Sequence, residues 1–355
     1  MDSTYSGSYG RIKVAQTEFL SDSLVRGFIG MALEDVTRAL SSTVYKDDIN
    51  ALYSLYTNPD LLEMAANRRL VTRNKTALFA APPMTSDLLR AYMSKWDVQN
   101  IKSIITSKYL GYDLKETETF LVSFRDVPMG IFGGIMSNDD FRILINQSSI
   151  EAVAENLTRF GYGQQLLQHL DNYRKENDIA PMLQGLDRYY YMRLITSLKF
   201  FNGDEGPLIR FFREEVDNKN IMVILAAKDM HVPFEKVRDQ LLVLGNMSTE
   251  NLQSLYGSGG VEDIASKLQD RYDLHTAVEA YRKAGDLKLF ESEIRSSILR
   301  RYLDVLSSQA LSAGSMFAYI LRSERERDNL RTIVIGNSYG IEPKRTEEML
   351  LGGAL

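Results

Sequence analysis

Asp217-Asn218-Lys219-Asn220-Ile221-Met222-Val223-Ile224-Leu225-Ala226-Ala227-Lys228 is the stretch whose reading decides the fold. An acid stands three residues before Asn220, and apolar residues follow it at plus one, plus four and plus five, a spacing that lines one face of an α-helix. The pattern occurs twice more. Asp97, Asn100, Ile101, Ile104, Ile105 and Lys108 carry it upstream. Glu326, Asn329, Leu330, Ile333 and Val334 carry it downstream, with Asn337 in place of the lysine, a departure that argues against a uniform role for that position. At plus seven the residue is always small (Ser107, Ala227, Gly336), which lets another backbone come close. Gly111 and Gly340 at plus eleven suit the left-handed residue that ends a helix, and His231 occupies that place in the middle copy.

A second set of marks lies upstream of each copy. Glu34, Val36, Leu40 and Tyr45 recur as Glu151, Val153, Leu157 and Tyr162, then as Glu262, Ile264 and Leu268, with the tyrosine slipped by one to Tyr272. From each Glu to its Asn the interval is 66, 69 and 67 residues, and Leu121, Leu241 and Leu350 each follow their Asn by 21. Marks at nearly constant separations predict three homologous helical domains, too large for a short solenoid repeat. The glycine clusters Gly130–Gly134 and Gly257–Gly260 read as linkers, giving domains over 1–138, 139–256 and 257–355. Asn58-Pro59-Asp60, Thr85-Ser86-Asp87 and Ser248-Thr249-Glu250 read as helix starts. With 8 prolines and sustained 3.6-period spacing the chain reads as all-α, Phe141–Ile145 being a weak period-two exception.

The chemistry that a motif could announce is missing. The 355 residues hold no Cys, which excludes disulfides, thiolate zinc sites, iron–sulfur clusters and cysteine nucleophiles. His169, His231 and His275 have no metal-ligand spacing, so no metal is expected. No phosphate-binding G-x-x-x-x-G-K-[ST] loop and no G-x-S-x-G elbow occurs, so neither a cofactor nor a catalytic group is expected. A formal net charge of −5 argues against a nucleic-acid binder. Charge-free runs such as Thr76–Ser86 and Val127–Ser137 are too short to cross a bilayer, and Met1–Val14 has no apolar core of a secretory signal. The run Glu324-Arg325-Glu326-Arg327-Asp328 reads as a solvated helix face. Arg68, Arg69, Arg73 and Lys75 read as a solvated loop or a contact for an acidic partner or anionic headgroups, and Tyr189-Tyr190-Tyr191 and Phe200-Phe201 as core. Three related helical domains without a catalytic constellation point to a shape that holds partners: a ring, a funnel or a helical scaffold, for example one assembling soluble enzymes.

The tyrosine-rich start running into Arg11-Ile12-Lys13, the stretch Leu40-Ser41-Ser42-Thr43-Val44-Tyr45, and the segment from Glu326-Arg327-Asp328-Asn329-Leu330-Arg331 to Tyr339-Gly340 resemble the C subunit of the archaeal and bacterial A-type (V-type) ATP synthase. The d subunit of the vacuolar ATPase is its relative, and the resemblance covers essentially the whole chain. It implies a funnel of three similar domains about a pseudo-threefold axis, without chemistry of its own. Such a part links the D and F subunits of the central stalk to the membrane rotor ring of proteolipid subunits. It reaches the A and B subunits only through the stalk. The resemblance also implies a peripheral place at the cytoplasmic face of the membrane. Partner-binding positions stay unassigned.

Overall fold

The computed structural model describes residues 5–112, 134–198 and 206–352; Leu121, most of the Gly130–Gly134 cluster and Phe200-Phe201 lie outside them. Every described element is a helix, as the periodicity predicts. Short helices α1 (Tyr5–Gln16), α2 (Asp22–Gly27), α3 (Leu33–Leu40) and α4 (Lys46–Leu52) lead into two long ones, α5 (Asp60–Ala80) and α6 (Pro83–Leu110). Four more, α7 (Asn138–Ile145), α8 (Ile150–Asn156), α9 (Tyr162–Leu167) and α10 (Leu170–Glu176), precede the long α11 (Ala180–Leu198) and α12 (Gly206–Asp229). Then α13 (Phe234–Val237), α14 (Thr249–Tyr256), α15 (Val261–Leu268) and α16 (His275–Ala284) precede α17 (Lys288–Ser308) and α18 (Ala313–Ser338), and α19 (Pro343–Glu348) follows. The acid-and-asparagine patterns therefore lie on α6, α12 and α18.

Helix ends follow local chemistry. Ser21, Ser137 and Ser248 each accept the backbone N–H three residues on, opening α2, α7 and α14. At α7 the Asp140 carboxylate also accepts the Ser137 N–H, completing a capping box. That box, with Phe141, Leu144 and Ile145 buried at helical spacing, makes Phe141–Ile145 helical, against its weak alternation. At the far end, α6, α12 and α18 stop with the same bond. Tyr112 donates to Ser107 O at 2.9 Å, Val232 to Ala227 O at 2.8 Å and Ile341 to Gly336 O at 2.8 Å. The residue before each donor is left-handed: Gly111 at φ 73°, His231 at φ 55° and Gly340 at φ 62°.

Contacts divide the chain into two compact units. The described part of the first comprises residues 67–112 and 134–198, where α6 packs along α11 through a core that includes Leu89, Ile101, Ile105, Leu186 and Leu194. The second comprises 5–66 and 206–352, where α17 packs against both α12 and α18. Phe211 meets Tyr302 and Phe212 meets Phe317 edge-on there, at ring-centroid distances of 5.9 and 5.4 Å.

Two expectations change. The basic stretch is not a loop but part of α5, and Arg73 is only 2% exposed. The Glu324–Asp328 run is not a solvated face: Glu324, Glu326 and Arg327 are buried. Gly257–Gly260 is a short non-helical joint between α14 and α15, with Gly260 at the cap of α15. Tyr190 and Tyr191 are core, as expected.

Candidate functional site

The repeated residues hold backbone, and they do so in matching ways. On α12, the Asn220 side chain accepts the N–H of Leu242 and donates to its carbonyl, both at 2.8 Å. On α18, Asn329 does the same to Leu351, at 2.7 and 3.1 Å. Both partners lie 22 positions downstream. Asn100 is buried on α6, and its counterpart by spacing, Val122, lies outside the described residues. An amide side chain is suited to this work because it offers one donor and one acceptor that match a peptide group.

The acid three residues earlier takes up the backbone that enters a capped helix. Asp97 accepts from Ile135 at 2.8 Å and Asp217 from Met247 at 3.0 Å, just ahead of Ser137 and Ser248. Glu326 accepts from Leu20 at 2.8 Å, just ahead of Ser21. The two aspartates are short, so the backbone must come close. A Cβ on Gly134 would sit on the Asp97 carboxylate, and one on Gly245 would sit on that of Asp217. At the third clasp the acid is the longer glutamate, and Glu18 stands where the other two have glycine.

The slipped tyrosine acquires a meaning at the same acids. Tyr162 donates to Asp97 at 3.3 Å and Tyr45 to Glu326 at 2.6 Å. Tyr272 does not reach: its buried hydroxyl has no hydrogen-bond partner among the described residues, and the residue before it, Arg271, approaches Asp217 at 3.4 Å instead. Nearby, Arg301 grips the buried Glu214 through both carboxylate oxygens, at 2.9 and 2.6 Å, and Tyr302 adds a bond of 2.9 Å.

Position plus eight completes the clasp, with one role despite the change of residue. Lys108 donates to Ile145 O at 2.8 Å, Lys228 to Tyr256 O at 3.0 Å, and Asn337 to Phe28 O at 2.8 Å. Those carbonyls close α7, α14 and α2, and each lies six residues before Glu151, Glu262 or Glu34. Glu151 and Glu262 pair with Arg174 and Arg282, whereas Glu34 makes no ion pair among the described residues. The small residue at plus seven is also required, since a Cβ on Gly336 would lie 2.5 Å from the Thr346 hydroxyl of α19.

Burial sets the electrostatics. It pushes Asp97 up to about 7, although the Ile135 N–H, the Tyr162 hydroxyl and Arg193 oppose it. Burial raises Asp217 as well, against the Met247 N–H and Arg271. The same cause lowers Lys108 and raises the phenols of Tyr162 and Tyr272. Asp97, Asp217, Lys108 and Tyr162 each hold a backbone group or another clasp residue. Among the described residues no cluster of His, Asp or Glu could hold a metal ion, and no helix is long and apolar enough to cross a membrane.

Sequence reasoning missed the roles of Gly134, Gly245 and Arg271 and the caps at Ser21 and Ser137. The signal was present, since Gly134-Ile135-Met136-Ser137 recurs as Gly245-Asn246-Met247-Ser248.

Comparison with known proteins gives a consistent result. The sequence profile of the family described as ATP synthase (C/AC39) subunit matches residues 8–349. The C subunit of the A-type ATP synthase of Thermoplasma acidophilum is 44% identical over 352 residues, covering 99% of each chain. That of Thermoplasma volcanium is 42% identical over 356 residues, covering 100% of each. Similarity extends to the C subunit of Haloferax volcanii, 28% identical over 348 residues, 96% of this chain and 95% of that one.

Proposed function

Since the chain belongs to the ATP synthase (C/AC39) subunit family, we propose that it is a non-catalytic rotor part of an A/V-type ATP synthase. In this reading it joins the D and F subunits of the central stalk to the membrane rotor ring and passes torque between ion flux and ATP synthesis or hydrolysis. It meets the A and B subunits only through the stalk and sits at the cytoplasmic face of the membrane without entering it.

The observation that carries the reading is the repetition of one set of bonds. An acid and a plus-eight donor on α6, α12 and α18, and the asparagine on α12 and α18, bind backbone at matching places, which supports three homologous modules over 1–138, 139–256 and 257–355. Glu34, Glu151 and Glu262 mark the corresponding start in each. A part that transmits torque must resist slippage between its helices. Buried bonds to backbone serve that need because a shift in register breaks several at once. Partner contact needs exposed apolar surface, and each unit exposes some at the ends of its long helices. Leu110, Met230 and Tyr339, all ten residues beyond their Asn, are 53%, 73% and 80% exposed.

Two experiments test the proposal. Purified from native membranes, the chain should travel with the A, B, D and F subunits and the rotor ring; recovery with soluble enzymes alone refutes the reading. Small-angle scattering of the isolated chain should give a three-lobed body with a central hollow, as the family's funnel requires, and a straight rod would count against it.

A further inference from the structure

We propose that the first of the three helical copies keeps an open seam between residues 53–55 and the end of α18. This seam seats a segment of another subunit that carries a lysine or arginine beside apolar side chains. The inference rests on the reading of the chain as one part of a larger complex. Tyr173-Arg174-Lys175 and Tyr281-Arg282-Lys283 occupy one place in the second and third copies, and Tyr53-Ser54-Leu55 occupies it in the first. Tyr53 and Tyr281 both stand 19 residues beyond their Glu, at Glu34 and Glu262, and Tyr173 stands 22 beyond Glu151.

In the second and third copies this place is closed twice. Arginine neutralises the glutamate in the first turn of α8 or α15: Arg174 bonds Glu151 at 3.4 Å and Arg282 bonds Glu262 at 2.8 Å. The segment carrying the arginine is also tied to the preceding long helix, at the ninth residue past its asparagine. Tyr281 donates to Asp229 at the end of α12, and Tyr109 at the end of α6 donates to Asn177 O at 3.0 Å. In the first copy the long helix is α18, against which α3 packs, and neither closure is made there. Ser54 carries no charge, and Glu34 makes no ion pair among the described residues. The hydroxyls of Tyr53 and of Ser338, the ninth residue past Asn329, make no hydrogen bond among them either.

The walls of the seam nevertheless converge. Thr37, one turn after Glu34 on α3, bonds the Asn58 amide at 3.2 and 3.1 Å, so the segment that ends at Asn58 runs along the Glu34 side of that helix. Asn337 holds Met31 O at 3.0 Å, which brings the end of α18 to the start of α3. Tyr53, Leu55 and Tyr339 are 71%, 49% and 80% exposed. Two phenol rings and a leucine form the kind of surface on which partners anchor. The carboxylate beside them sets the sign of the partner. A basic side chain would fill from outside the place that Arg174 and Arg282 fill from within, whereas an acidic segment or an anionic headgroup would be repelled.

Hydroxyl-radical footprinting of the full-length chain, alone and within the complex purified from membranes, tests this. Alone, Tyr53 and Tyr339 should be oxidised readily; in the complex both should lose most of that reactivity. A second measurement is the affinity of the chain for the complex expressed without it. The double variant Ser54→Arg, Leu55→Lys restores the residues of the other two copies at exposed positions. It should keep the thermal midpoint of the isolated chain and bind about tenfold more weakly. Glu34→Gln should weaken binding and flatten its dependence on salt. Full Tyr53 reactivity in a complex that contains the chain overturns this proposal alone, as does unchanged affinity of the double variant or tighter binding by Glu34→Gln. A chain absent from the complex overturns the rotor reading as well. Protection that appears in the isolated chain as its concentration rises would assign the seam to a second copy, and it too overturns the proposal.

Discussion

Asp97→Asn is expected to make the first unit more stable at pH 8 and to abolish most of the pH dependence of its stability. The carboxyl is 1% exposed, and burial raises it from 3.8 to about 7. Between those values the folded chain keeps a proton that the unfolded chain has lost. The resulting stability is therefore complete below the unfolded value and lost as pH rises through the folded one. A gap of about three pH units corresponds to roughly 4 kcal/mol at 1.36 kcal/mol per unit. Asparagine keeps an acceptor for the Ile135 N–H and its amide can donate to the Tyr162 oxygen, but it forfeits the stronger bonds of a carboxylate. A net gain of about 1–3 kcal/mol at pH 8 is therefore expected. The assay is built in, because Trp96 is the chain's single tryptophan and lies beside Asp97 in the same unit. Urea unfolding followed by its fluorescence should show a midpoint that falls from pH 5 to pH 8 in the unaltered chain and stays nearly level in the variant. His169, lowered chiefly by burial and also by Arg188, acts in the opposite sense, losing stability as pH falls through its unfolded value of 6.5. It is present in both proteins and cancels in their difference. Equal slopes, or a variant less stable at pH 8 than the unaltered chain, would refute the reasoning.

Asn329→Ala should cost about 2–4 kcal/mol in thermal or urea unfolding, because it leaves both the N–H and the carbonyl of Leu351 without their buried partner. Tyr45→Phe should cost about 1.5–3 kcal/mol, since a bond to Glu326 is lost, whereas Tyr272→Phe should change stability little because that hydroxyl has no hydrogen-bond partner among the described residues. Gly336→Leu should destabilise by about 1–3 kcal/mol or more by driving a side chain into Thr346. In an assembled motor it should uncouple ATP hydrolysis from ion pumping more than it slows hydrolysis; equal loss of both would indicate failed assembly.

The long helices and their ends were legible in the sequence because both depend on near neighbours. Apolar spacing around Asn100, Asn220 and Asn329, the glycines at plus eleven and the cap at Ser248 all act within a few residues. Their structural roles match the reading. The Glu324–Asp328 run misleads for the complementary reason. Alternating charge looks the same on a wet face as on one whose partners, Asp22 and the Leu20 N–H, lie some 300 residues away. Asn337 likewise gives no sign of sharing a role with Lys108 and Lys228 until the carbonyls they serve are seen to occupy one place relative to Glu34, Glu151 and Glu262. Arg271 gains its role only because Tyr272 has slipped, a consequence of a single missing residue between Glu262 and the turn.

The location of the perturbed groups bears on what kind of protein this is. In an enzyme, displaced acids and bases converge on a cleft, where an unusual protonation state meets substrate. Here Asp97 and Asp217 are displaced by burial, yet both face backbone N–H groups immediately ahead of a helix. Each aspartate sits so close to its glycine that any side chain there would have to displace the carboxylate. A carboxylate is costly to bury, and an apolar side chain of similar size would hold the helices together with a smaller desolvation penalty. It would not select one register, because apolar contact tolerates sliding whereas an acceptor aimed at a particular N–H does not. The electrostatic cost thus falls on joints between helices. Such a distribution agrees with the proposed role, in which the helices must keep their register under load.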